Sequence, residues 1–85
     1  MSNISKRVAE HFVARMKAQN VSGTVRDRYA VEFMTGAAAA AVVIHGEDSR
    51  EWNALSMAAF MTSVRGYQGL VSLTLKGDET EKKND

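Results

Sequence analysis

The sequence predicts an all-α domain: a three-helix bundle, or a helical hairpin carrying an N-terminal helix, that associates with itself. Three observations carry that reading. Proline is absent while alanine and methionine are plentiful, a composition that favours helix. Apolar residues recur at helical spacing in successive segments. The stretch Phe33 to Ile44, FMTGAAAAAVVI, is apolar on every side, so it is expected to be surrounded by other helices or by a second copy of the chain. It is also too short for a bilayer, which takes about twenty residues.

The first helix is expected from about Ile4 to Asn20, with Ser2 or Asn3 accepting a hydrogen bond from the free amides of its first turn. Ile4, Val8, Phe12 and Met16 repeat every four residues and, widened by Ala9 and Val13, make one buried face. Val21-Ser22-Gly23 ends it, because a glycine costs about 1 kcal/mol in a helix interior. Thr24 with Asp27 three residues later reads as a capping box, opening a second helix from about Val25 to His45. Its main stripe is Tyr29, Phe33, Ala37, Ala41 and Ile44, and Val31, Met34, Ala38 and Val42 make the other side apolar too. Gly46 is placed to end it.

Asp48 or Ser49 caps a third helix, whose broad apolar face runs from Trp52 through Leu55, Ala59, Phe60 and Val64 to Tyr67. Either Gly66 or Gly69 closes it. Beyond it Val71, Leu73 and Leu75 alternate with Ser72, Thr74 and Lys76, the period of a half-buried strand. A lone strand has no partner, so residues 70–76 read either as a short strand paired with another chain or as a helical turn or arm that packs Leu70 and Leu73 on the bundle. Residues 1–76 form the single helical domain, and 77–85 are expected to be a disordered charged tail.

With 85 residues the chain buries only about 60 to 65% of its unfolded surface, and it has no cysteine to staple it. Association of the second and third helices is the remaining source of stability, which predicts a homodimer or higher oligomer. The net charge is +1, too small to indicate a strongly basic nucleic-acid binder, though residues 1–28 carry six Lys or Arg against two acids. No secretory signal pattern is present, so a cytoplasmic protein that does not engage a membrane is expected.

Chemistry has few candidates. His11 and His45 are the residues a general base would use, but they read as a helix-margin residue and a helix C-terminal cap. Glu47, Asp48 and Glu51 are explained by capping and a solvated turn. No nucleophile, zinc, calcium or phosphate-loop motif occurs. The expectation is a non-enzymatic protein without cofactor or metal. Binding has better candidates: Arg26 and Arg28 beside Tyr29, and Arg65 beside Tyr67, combine guanidinium groups that pair with anions and rings that stack on bases. Arg26, Arg28, Arg65 and Tyr67 are therefore the expected ligand or partner site. An alternative basic face on the first helix, Lys6, Arg7, Arg15 and Lys17, suits a phosphate backbone or an acidic protein surface.

Arg26-Asp27, Glu32-Phe33, Gly36-Ala37-Ala38 and Val64-Arg65-Gly66-Tyr67 together resemble the pattern of small bacteriophage-encoded accessory proteins: a charged start, a pair ending in an aromatic residue, a glycine-alanine run and, a helix later, an arginine-glycine-aromatic end. The resemblance covers roughly residues 26–67 and brings no active-site residues with it. It implies a compact protein that binds and inhibits a host factor, such as a bacterial defence system or its nucleotide signals. The functional expectation is thus a phage or mobile-element accessory protein that engages a host protein or an anionic nucleotide. Its rivals are an oligomeric nucleic-acid-organising protein using the basic first helix and a virion or scaffold subunit.

Overall fold

The structure, a computed structural model, describes residues 3–84, with side chains to Leu75. It is all-α, with four helices in the order α1 (Ile4–Gln19), α2 (Gly23–His45), α3 (Arg50–Arg65) and α4 (Tyr67–Asn84). The first three lie in the expected segments, but only α1 buries the expected stripe. α2 turns Ala30, Met34, Ala38 and Ala41 to the core and leaves Tyr29 and Ile44 exposed; α3 buries Leu55 and Ala58 and leaves Phe60 and Val64 exposed. On helices apolar nearly all round, periodicity does not choose the buried side. Tyr67, expected at the end of the third helix's face, opens α4 instead. Asn3 caps α1 by accepting the Lys6 amide at 3.0 Å, and Asn20, in the left-handed conformation, ends it. Ser2 lies outside the described residues. Ser49 caps α3 by accepting the Trp52 amide at 3.1 Å. Gly46 closes α2 at φ 95°, a backbone conformation that disfavours residues with a Cβ.

Two local expectations are corrected. The proposed capping box of α2 does not form: the helix starts at Gly23, so Thr24 is already inside its first turn, and Ser22 occupies the cap position without a side-chain bond. Asp27 is engaged elsewhere, as shown below. The strand reading of residues 70–76 is replaced by helix, since all of them belong to α4. The apolar residues there satisfy two periods at once. Tyr67, Leu70 and Val71 recur at three and four as well as Val71, Leu73 and Leu75 at two. With no second strand among the described residues, a helix is the conformation that satisfies the backbone amides and carbonyls from within the segment. The helix continues to Asn84 and so takes in most of the segment read as a charged tail. Asp85 lies outside the described residues.

The bundle is two pairs of helices. α2 packs most extensively on α3 and α1 on α4, and α4 also lies against α2 and α3. Between them sits one core: Ala9, Phe12 and Met16 from α1, Ala30, Met34, Ala38 and Ala41 from α2, Leu55 and Ala58 from α3, and Tyr67 and Leu70 from α4. The alanines allow helix backbones to approach closely, and Phe12 and Phe33 fill the gap between α1 and α2 with ring centroids 4.7 Å apart. Leu70 has no exposed surface, and Leu73 packs partly buried against the core, in line with the packing expected of both.

α2 is not surrounded. Its core side is covered, but Val43 is 84% and Ile44 72% exposed, and on α3 Met57, Phe60 and Val64 stand at 64%, 64% and 67%. No helix of the described residues is long and apolar enough to cross a membrane.

Candidate functional site

The start of α2, the end of α3 and the start of α4 meet at one place, and that place collects all four arginine and tyrosine candidates. The meeting is built by α4's need for a cap. A helix that begins at Tyr67 leaves its first amides without intrahelical acceptors, and Arg65-Gly66 offers no side chain to accept them. Asp27, forty residues earlier, supplies the acceptor: its Oδ1 takes the Tyr67 amide hydrogen at 2.8 Å. The carboxylate also complements the positive end of the α4 dipole.

Gly66 makes the approach possible. Its φ is 68° with ψ −148°, a region open in practice only to glycine, and a Cβ there would lie 2.5 Å from Asp27 Oδ1. Next to the cap, the Arg26 guanidinium lies over the Tyr67 ring, its Cζ 4.2 Å from the ring centroid. A cation over an aromatic face in a partly desolvated setting contributes on the order of 1 kcal/mol. Arg26 and Asp27 thus bind α2 to α4 through adjacent side chains, one by its charge over a ring and one by a hydrogen bond.

This arrangement divides the candidates. Tyr67 is 5% exposed and in the core, so its ring has no free face on which a base would stack. Arg26 is half-buried against it, with its Nε enclosed and without a hydrogen-bond partner. Arg28 and Arg65 are exposed. They come from different helices yet border one open depression of about 410 Å³, whose lining also includes Asp27, Val31, Thr62, Ser63, Val64 and Gly66. The arginines therefore flank a patch of mixed character: valines, two hydroxyls already bonded to their own helix carbonyls, and the outer side of the capping carboxylate. An extended acidic segment fits such chemistry, because a guanidinium fork pairs with carboxylates in two-point geometry while the valines accept apolar side chains.

The rest of the candidate chemistry lies elsewhere. Arg7, Arg15 and Lys17 are exposed on α1, while Lys6 pairs with Glu10 at 2.6 Å. At 100° per residue Arg7, Arg15 and Lys17 spread over the solvent side of α1, with Glu10 between Lys17 and Arg7, while Lys6 lies at the margin with its side chain 14% exposed. They form a broad basic surface interrupted by an acid, and they do not border the depression. His45 Nδ1 lies 3.8 Å from Glu51 Oε1 across the turn between α2 and α3, and His11 is exposed on α1. Among the described residues, no group of three or more His, Asp or Glu is placed to hold a metal ion.

Sequence reasoning missed the role of Asp27 and the presence of Val31, Thr62, Ser63 and Val64 beside the arginines. One signal was available. A helix that starts directly after Arg65-Gly66 has no local capping residue, so its cap must come from another element. No protein-family model, curated protein or solved structure matches the chain.

Proposed function

We propose that this chain is a non-catalytic binding protein that engages an acidic segment of a host protein at the depression between the start of α2 and the end of α3. The observation that carries the reading is the convergence of Arg28 and Arg65, two exposed guanidinium groups from different helices, on one open surface lined by Val31 and Val64. Binding a host factor is also what the resemblance to bacteriophage accessory proteins implies, and an inhibitory or sequestering role follows from it. An open depression suits recognition better than catalysis, which needs a site that excludes water around the reacting atoms. His11 and His45, the residues available for proton transfer, do not line it.

An anionic nucleotide remains the second ligand class for the same arginines. Its phosphates would pair with Arg28 and Arg65, but its base would have to rest on the valines, because Tyr67 is buried beneath Arg26. A protein segment uses the arginines and the valines together and is the preferred ligand.

The test is reversal of both charges, Arg28→Glu with Arg65→Glu. Both side chains are exposed, so helicity by circular dichroism is expected to stay at the wild-type level. Capture of interacting proteins from host lysate, identified by mass spectrometry, is expected to lose at least one species in the double variant. A wild-type interactor retained at full strength by the variant removes this reading. Binding of short nucleic-acid duplexes with a steep salt dependence, abolished by Arg7→Glu and Arg15→Glu and untouched at Arg28 and Arg65, would transfer the function to the basic surface of α1.

A further inference from the structure

We infer that the outer face of the α2–α3 hairpin is a two-fold interface with a second copy of this chain. Charge is missing from both helices over long runs: no Asp, Glu, Lys or Arg occurs between Glu32 and Glu47 or between Glu51 and Arg65. Solvated helix faces are not built this way. The exposed side of α1 carries Arg7, Glu10, His11, Arg15 and Lys17, at least one polar or charged group on every turn.

The uncharged residues line up in space. At 100° per residue Thr35, Ala39 and Val43 form a line along α2, and Asn53, Met57, Phe60 and Val64 form one along α3 at the four-three-four spacing of a helix-packing seam. The short turn at 46–49 makes the two helices antiparallel neighbours. Arg28 and Val31 of α2 share one depression with Val64 of α3, which fixes how the two helices are turned toward each other. From there the α2 line runs beside the α3 line in reverse order, on the same side of the hairpin. The side chains on this surface are open to solvent in the single chain: Val43 at 84%, Met57 and Phe60 at 64% each, and Val64 at 67%.

Two arguments choose the occupant. In a two-fold interface every group faces the same patch on its mate, so a patch dominated by one sign of charge repels itself, while an uncharged one carries no such penalty. A different partner recognised through charge would find none between Thr35 and Val43 or between Asn53 and Val64 to select it, the arginines lying only at the edge of the face. The area fits as well. These four side chains expose on the order of 500 Å² per protomer, more than half of the ~800 Å² that each partner contributes to an interface of standard size. Thr35, Ala39 and Asn53, between them, extend the same surface.

This inference shares Val64 and the orientation of the two helices with the arginine depression, but its test needs neither Arg28 nor Arg65. The test is the mass of the full chain by size exclusion with light scattering, over a wide concentration range. Wild type is expected to be a dimer that dissociates on dilution. Phe60→Glu is expected to run as a monomer of unchanged helicity, because Phe60 is largely exposed in the single chain. The chain has no cysteine, so Met57→Cys gives a second readout that keeps an apolar surface. A short bis-maleimide is expected to join two Met57→Cys chains, while Ala14→Cys on the exposed side of α1 stays uncrosslinked. A monomer at every concentration overturns the proposal. So does a dimer that survives Phe60→Glu, or crosslinking as efficient at Ala14→Cys as at Met57→Cys.

Discussion

Asp27 shows how one side chain fixes the relation of two helices. Its carboxylate is exposed on one side and bonded to the Tyr67 amide on the other, so it stabilises both the start of α4 and the docking of α4 on α2. Asp27→Ala is expected to lower stability by about 1 kcal/mol, the usual worth of a capping side chain, whereas Asp27→Asn keeps an acceptor and is expected to lose only a few tenths. Urea denaturation distinguishes them through the midpoint at constant slope. Equal losses for the two variants would mean that the carboxylate acts by its charge and not as a cap. Gly69 makes the opposite kind of contribution, through what it lacks. A Cβ there would meet the Met61 carbonyl oxygen at 3.1 Å and the Thr62 Cα at 3.3 Å, both backbone atoms that cannot swing aside. Alanine gains about 1 kcal/mol over glycine in a helix, but forcing α3 and α4 apart costs typically 1 to 3 kcal/mol. Gly69→Ala is therefore expected to be net destabilising, while Gly36→Ala, with open space around it, is expected to stabilise by about 0.5 to 1 kcal/mol. Thermal melts of the two variants shifting in the same direction would contradict this reading. None of these roles is visible in the residues alone. An aspartate three residues after a threonine looks the same whether it caps its own helix or one forty residues away.

At the scale of elements, the sequence located α1, α2 and the start of α3 to within about two residues, because each has apolar residues at helical spacing and a recognisable cap or breaker, and it left the end of α3 between two glycines. α4 is the exception. Its first turns suit a strand or a helix equally in pattern, and what decides is hydrogen-bonding opportunity: a strand needs a neighbour, and the helices provide none. Its apolar side then drops into the groove left by α1, α2 and α3, with Leu70 wholly buried and Tyr67 nearly so. Ser72→Pro tests the assignment. In a helix interior proline removes one hydrogen bond and clashes with the preceding turn, so a loss of about 3 kcal/mol is expected, seen as a large fall in melting temperature. An extended arm would tolerate the same change with a loss well under 1 kcal/mol.

As a whole molecule, the chain folds to a radius of gyration of 12.5 Å, close to the ~12 Å expected of a compact domain of this length. Compaction leaves the second half of α2 and the outer side of α3 uncovered, which is the expectation of an enclosed α2 meeting its limit in a single copy. If a second copy covers that face, folding and association are linked by mass action. The melting temperature is then expected to rise with protein concentration for wild type and to be independent of it for Phe60→Glu. A concentration-independent wild-type melt would speak against the link. By itself the sequence determined the all-α class, three of the four helices, the core-facing stripe of α1 and the excess of apolar surface on α2 and α3, because periodicity and capping act over a few residues. It also named the arginines that meet at the depression. Only the tertiary structure decided that residues 70–76 are helix, that Asp27 caps α4, that Arg26 and Tyr67 hold helices together and that Arg28 and Arg65 share one exposed surface. Those outcomes depend on which groups are brought within 3 to 4 Å by the packing of segments forty residues apart, and no local pattern encodes that distance.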